Sequence, residues 1–340
     1  MTDVARHSRR GLYAPLVLAL IALAAWTGWW FYLSHQVEQQ LTVRTEALRQ
    51  AGWTVRLGDV STNGWPFRIR LQADNPVIVA PSGQGLAAPQ LVAEAAAYNP
   101  DRWVIVAPDG LTLNRGAKGE VGVRGDALRF SANGLTERFP RLALELVNPV
   151  FTAQPGAEPF PISRAGRVTL ETRANAASAE NLDVRLYLAD ARGRSGGPVE
   201  GMTGDGALSL TLEGVVEDAA QLKGADTAGV FSAWTRAGGR FSGVRGEMSA
   251  GDSRATLASD GLSARPDGRL EGVLTFRAEK SAAALAGLAG SQGGLVNRAG
   301  AAGAAAVAAG GDRPVDLTVT LRDGRAWLGP FAIAPAPKLF

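Results

Sequence analysis

Residues 12–33 read LYAPLVLALIALAAWTGWWFYL and carry no charge. As a helix rising ~1.5 Å per residue, about 22 residues span ~33 Å, one hydrocarbon core. This run fixes where the rest of the chain works before any fold is considered. Arg6, Arg9 and Arg10 precede it, while Ser34, His35 and Glu38 follow. The positive-inside rule then leaves residues 1–11 as a cytoplasmic tail, makes 12–33 a transmembrane anchor, and exports everything beyond. Trp29, Trp30 and Tyr32 gather at the far end, where amphipathic rings favour the headgroup layer. A cleavable leader with Ala22-Leu23-Ala24 at its cleavage site is the competing reading. The apolar run continues past that point to its aromatic end, which favours an uncleaved anchor. The expected location is the inner membrane of a double-membrane bacterium, with a periplasmic domain.

Residues 34–52 read as a short helix, with Val37, Leu41 and Leu48 on one face and Gly52 as its C-cap. It is either a stalk or a helix packed on the domain's first strands, and packing is favoured. From Trp53 the period changes from 3.6 to 2. Phe67, Ile69 and Leu71 alternate with Arg68, Arg70 and Gln72. Leu142, Leu144 and Leu146 alternate in the same way, as do Leu182, Val184 and Leu186, then Leu208, Leu210 and Leu212. Leu270, Leu274 and Phe276 and the Val315–Leu321 alternation extend the pattern. Segments with one dry and one wet face are the mark of antiparallel sheet. Turn signals separate them at Asn63-Gly64, Asp109-Gly110, Asp260-Gly261, Asp267-Gly268 and Asp323-Gly324. The expected fold is mainly β: residues 53–340 form a large antiparallel sheet of about a dozen strands, curled or sandwich-like, with two or three accessory helices. Asn75-Pro76, Asn99-Pro100 and Asn148-Pro149 recur as strand starts or edges. Helices are expected over 218–237, with Leu222, Val230 and Trp234, and over 281–298, with Leu285, Leu288, Leu295 and Val296. Residues 300–311 dissolve into Ala and Gly, so 281–311 reads as a small-residue helix and a flexible connection.

The chain has no cysteine, and its only histidines are His7 and His35. The exported body therefore lacks a thiol, an imidazole and the usual transition-metal ligands. Gly193-Arg194-Ser195-Gly196-Gly197 matches the serine-hydrolase G-x-S-x-G. That mechanism needs a histidine after the serine, and none follows. No lysine follows a glycine, which excludes a P-loop. Gly116, Gly119, Gly122 and Gly125 fit a strand with small residues better than a nucleotide loop. Carboxylates show no calcium or di-metal spacing, although a dyad assembled by folding leaves no local signature. The net charge of +3 is concentrated near the N-terminus, and no basic stripe exists for nucleic acid. Trp53, Trp65, Trp103, Trp234 and Trp327 are expected in the core rather than in a stacking platform. No cofactor is expected.

Asn63-Gly64-Trp65-Pro66-Phe67 followed by Arg-Ile-Arg-Leu resembles the Gly-aromatic-Pro-Phe hairpin of the bacterial domain-of-unknown-function 2125 family. Tyr98-Asn99-Pro100, Trp234 through Gly238-Gly239, Asp267 through Gly272, and Asp323 through Pro330 extend the likeness over most of the chain. The resemblance brings no catalytic residue with it. The layout also resembles, more distantly, the AsmA-like envelope proteins, which implies an anchored sheet able to hold lipid in a groove. The leading expectation is a non-enzymatic envelope protein that handles phospholipid on its apolar sheet face. The alternatives are an envelope scaffold or assembly factor acting through protein contacts, and a hydrolase.

Overall fold

A computed structural model describes residues 10–222, 231–292, 296–309 and 314–339. Arg9, Val230 and Leu295 lie outside them, and the side chain of Arg10 is also not described. The expected anchor and the helix after it form one continuous helix, α1 (Arg10–Gln50). Its Tyr13–Gln50 portion reaches a mean hydropathy of 1.8, long and apolar enough to cross a membrane. It ends in a Schellman motif at Gly52, whose φ is 87°: Trp53 N–H donates to Leu48 O at 3.0 Å and Gly52 N–H to Arg49 O at 2.9 Å.

Strand accounts for 47% of the chain. The first strands are β1 (Thr54–Arg56), β2 (Val60–Asn63), β3 (Arg68–Asp74), β4 (Val77–Val79), β5 (Gln84–Ala87), β6 (Gln90–Ala96) and β7 (Asn99–Val106). There follow β8 (Leu111–Arg115), β9 (Glu120–Arg124), β10 (Ala127–Asn133), β11 (Arg141–Val147), β12 (Val150–Ala153), β13 (Ile162–Arg164), β14 (Arg167–Ala174) and β15 (Leu182–Gly193). After α2 (Pro198–Thr203) comes β16 (Leu208–Val216), then α3 (Ser232–Arg236), β17 (Arg240–Ala250), β18 (Ser253–Ala264) and β19 (Leu270–Glu279). The helices α4 (Ser281–Gly290) and α5 (Arg298–Ala308) precede β20 (Val315–Arg322), β21 (Arg325–Leu328) and β22 (Phe331–Pro335).

Among the described residues, 22 strands belong to one antiparallel sheet that does not close, against the dozen expected. Most of the excess has one cause. The early strands are long, and each breaks once at a corner. The main sheet pairs β3, β6, β7, β10, β11, β14 and β15 in that order. Their continuations β4, β5, β8, β9, β12, β13 and the end of β15 pair in the matching order. The sheet is thus folded along a crease. Corners fall at Asn75-Pro76, Ala88-Pro89, Ala107-Pro108, Gly125, Asn148-Pro149, Ala165-Gly166 and Asp190. Asn75 and Asn148 both adopt left-handed backbone, with φ of 52° and 47°. Asn75 N–H donates to Pro89 O at 2.8 Å, and Asn148 N–H to Gly166 O at 2.8 Å. Pro76 and Pro149 are fully buried. Two of the three Asn-Pro echoes therefore mark equivalent corners, while Asn99-Pro100 begins β7.

From β15 onward the crease side is covered by α2 and α4 instead of strands. Register shifts between Glu213 and Val215 and between Ala258 and Leu262 are bulges that bend the sheet further. Asp260-Gly261, expected as a turn, lies inside β18 at the second of these bulges. Asp323-Gly324 is a true two-residue hairpin turn, with φ of 53° and 71°. Of the expected helix over 218–237, the described residues form a short turn at 219–221 and α3, and 223–230 lie outside the described residues. Trp234, 0% exposed, is the centre of that cluster.

The expected 281–298 helix breaks after Gly290, and the expected flexible connection is α5. Its Ala301, Ala304, Ala305 and Ala308 are buried along one stripe at helical spacing. A Cβ on Gly300 would meet Ala332 O at 2.0 Å, so the small residues let α5 lie directly on β22. Gly201 of α2 and Gly287 of α4 touch backbone to backbone in the same way. A Cβ on Gly287 would stand 1.8 Å from Gly201 O, whereas one on Gly290 has nothing within 4 Å. Gly287→Ala is therefore expected to cost ~1–3 kcal/mol in urea unfolding, and Gly290→Ala to leave the midpoint unreduced. Equal midpoints would remove the α2–α4 contact from this account.

Candidate functional site

The apolar face of the main sheet is continuous across the molecule. Cross-strand partners lie on the same side of a sheet, so the register strings side chains into rows. The central row runs Leu71, Ala93, Ile105, Phe130, Leu144 and Leu170. It goes on through Leu186, Leu212, Gly246, Leu257, Phe276 and Leu317. A second row joins Ile69, Trp103, Leu142 and Val184. A third joins Leu128, Leu146, Val168, Leu188, Leu210 and Met248. Leu182 pairs with Val216 and Leu208 with Ala250 at the margins.

The candidate face residues thus meet, with one correction. Phe67 precedes β3 and stands 64% exposed. It follows the hairpin turn in which Arg68 N–H donates to Gly64 O at 2.9 Å, and its own carbonyl accepts from Ala97 N–H at 2.8 Å, so it ends the face at an exposed tip. Residues that the alternation did not single out, Ile105, Phe130 and Leu170, complete the row. Leu170 sits in a strand whose other positions are mostly Arg, Thr and Glu, which hides its place.

The margins of this face are covered and its middle is not. On the crease side the folded-over strands bring Val121, Val123, Phe151 and Phe160 against Leu128 and Leu146. Further along, Val199 and Met202 of α2 pack on Leu188, Leu208 and Leu210. On the opposite side Trp26, Trp30, Leu33 and Val37 of α1 pack on Ile69 and Trp103. Trp234 with Leu339, and then Ile333, cover Leu182, Phe241 and Leu321 beyond them. Between these walls Ile105, Phe130, Leu186, Phe276 and Leu317 stay half-buried, and Leu170 is 38% exposed. The middle of the apolar face is thus half-exposed between two covered margins, while the concavities of the sheet open on its charged face, lined by Arg185, Glu213, Arg245, Glu247 and Arg277. Thr172, a polar side chain in the second row, keeps its hydroxyl enclosed without a hydrogen-bond partner. The whole chain exposes 19645 Å², against about 13,000 Å² expected of a compact protein of this mass.

The matched family spans residues 30–337 and is described as an uncharacterized protein conserved in bacteria. The chain belongs to the DUF2125 family. The matched stretch begins at Trp30, so it takes in the docked half of α1 together with the entire sheet. No curated protein and no solved structure matches the chain, and the AsmA-like resemblance gains no support.

The other face of this DUF2125 sheet is a charge ladder. Glu171, Arg185, Glu213 and Arg245 are successive cross-strand neighbours of alternating sign, and Arg185 Nε lies 3.1 Å from Glu213 Oε1. Arg173 faces Asp183 at 3.1 Å and Arg70 faces Glu94 at 3.3 Å. A one-residue slip would set these charges opposite apolar residues and move the leucines into water, and a two-residue slip would set Glu171 opposite Asp183 or Arg173 opposite Arg185, so the ladder guards the register. Ser195 lies exposed in the loop before α2, where Gly196 N–H donates to the Glu200 carboxylate at 2.6 Å. Among the described residues no three His, Asp or Glu side chains converge as a metal site requires. Trp53 and Trp327 keep their indole N–H enclosed, while Trp65 is 50% exposed rather than core.

Glu145 receives a hydrogen bond from Arg129, and Arg167 lies beyond at 3.8 Å. The Arg129 hydrogen bond, opposed by slight desolvation and helped by both positive charges, holds its pKa below the usual glutamate range. A depressed folded-state pKa contributes stability above the unfolded value, about 4.3, which is lost as pH falls through the folded one. The pair is partly exposed and screened, so its contribution is well under ~1 kcal/mol. Between pH 6 and 3 the urea midpoint should therefore fall slightly less in Glu145→Gln than in the parent. Equal falls would dismiss the pair.

Proposed function

We propose that this protein is a bitopic inner-membrane protein whose exported apolar face holds the acyl chains of phospholipid. The observation that carries the reading is the half-exposed central row bounded by two covered margins. Each leucine of that row left in water forfeits a good part of the ~1.5–3 kcal/mol of full burial, and a hydrocarbon chain laid along the row recovers it. The row presents no acid, base or nucleophile, so the reading is binding rather than catalysis. Ser195 faces solvent away from the row, and no histidine follows His35. Helix α1, the one helix among the described residues long and apolar enough to cross a membrane, supports membrane anchoring. The arginines before it support an N-terminus on the cytoplasmic side, with the sheet in the periplasm. Envelope maintenance is the process such a protein would serve.

Adjacent residues of β15 point to opposite faces, which gives a test with its own control. A photo-crosslinking amino acid replaces Leu186 on the apolar face, or Tyr187 on the charged face, of the intact chain in bacterial membranes. Leu186 is expected to yield a phospholipid adduct by mass spectrometry, and Tyr187 none. A protein adduct at Leu186 would favour the scaffold alternative. No adduct at either position would defeat the apolar face as a binding site.

A further inference from the structure

The way α1 is fastened to the sheet fixes how deep the sheet sits. Trp26 donates its indole N–H to Pro66 O at 2.8 Å, Trp29 to Ala97 O at 3.3 Å, and Trp30 to Arg68 O at 2.7 Å. Trp30 is 6% exposed. These rings hold two hairpin tips, the β2–β3 turn and the β6–β7 turn, rather than lying free at a headgroup layer as expected for Trp29 and Trp30. Tyr32, 56% exposed, stays clear of them.

From Tyr13 to Trp26 the helix rises only ~20 Å, whereas a hydrocarbon core is ~30 Å thick. A span starting beside Arg10 must therefore continue to about Leu33. The tips held at Trp26 and Trp29 then fall up to ~10 Å inside the apolar layer on the exit side. Their side chains suit that depth. Trp65 is 50% exposed, Phe67 64% and Tyr98 74%, whereas the adjoining β10–β11 tip carries Arg138, ion-paired with Glu180 of the β14–β15 tip. The tips Asn175 through Asn181, Arg265 through Arg269, and Asp323-Gly324 on the same edge are polar. Among the described residues, the strongly exposed aromatic side chains on that edge are those of the turns beside α1.

We infer that these turns form an aromatic collar that inserts into the phospholipid bilayer around the exit of α1. The sheet is thereby seated in the membrane, and not held above it on a stalk. Trp103 and Ile69, one step behind the tips, place the α1 end of the apolar face at the bilayer boundary. The inference rests on α1 spanning a bilayer, but not on lipid occupying the apolar face.

The absence of cysteine makes single-site labelling clean. Leu20→Cys, Phe67→Cys, Tyr98→Cys and Ala176→Cys, made in the full chain, each carry an environment-sensitive fluorophore. They are reconstituted into vesicles of phosphatidylethanolamine and phosphatidylglycerol containing a doxyl-labelled quencher lipid. Leu20 reports the span, Phe67 and Tyr98 the collar, and Ala176 a polar tip. Quenching at Leu20, Phe67 and Tyr98 with none at Ala176 is the expected result. Quenching at Leu20 alone overturns the collar and leaves the span standing. No quenching at Leu20 removes both, and equal quenching at Ala176 overturns the confinement to the helix-proximal tips. Tyr98, the most exposed of the set, keeps the test decisive should the Phe67 variant fail to fold.

Discussion

A sheet with one apolar face must put that face somewhere, and this chain carries too little covering structure to bury it all. Apolar surface is worth roughly 25 cal/mol per Å² removed from water. The folded-over strands, α2 and α4 cover one margin, and α1, α3 and the C-terminal segment cover the other. Each covering element lies along a margin, so each reaches only the rows nearest to it. The half-exposed row between Ile105 and Leu317 follows from that arithmetic and not from any special loop.

The crease is what covers one margin of the apolar face without a second domain. Folding a sheet along a line requires every strand to turn its corner at the same level, with no broken ladder between neighbours. Asn75 and Asn148 meet this with left-handed backbone, and the alanines at 88, 107 and 165 fit inside the bend. Because each corner's amide and carbonyl bond to the next corner, as Ala88 N–H does to Pro76 O at 3.1 Å, the bend leaves few polar groups unpaired. The cost of bending is met locally, and both halves keep their register.

The strands were legible in the sequence because a period of two survives wherever one face is wet, as in Leu182 through Leu188. The corners were not. An Asn-Pro step reads as the end of one strand and the start of another, and nothing local says that the two halves are collinear segments of one bent strand. Helix α5 was missed for a different reason. Ala and Gly dominate 298–308, and composition alone suggests a flexible linker. The burial stripe Ala301, Ala304, Ala305 and Ala308 was present at i, i+3, i+4 and i+7, but in residues too small to announce a core face. The docking of Trp26 and Trp30 was hidden because aromatic rings at the end of an apolar run have an ordinary explanation at the membrane surface. Only the sheet's carbonyls at Pro66 and Arg68 show the other.

An open sheet has two edges, and unpaired edges invite association with other chains. Here each edge meets a helix. At one end α1 lies beside β1 and β2, with Arg49 Nε donating to Val55 O at 3.0 Å. At the other, α5 lies on β22, and Asn297 N–H donates to Ile333 O at 2.9 Å. Gly300 and Gly303 permit that approach where any side chain would hold the helix away. The helix that guards the first edge is also the one, among the described residues, long and apolar enough to cross a membrane.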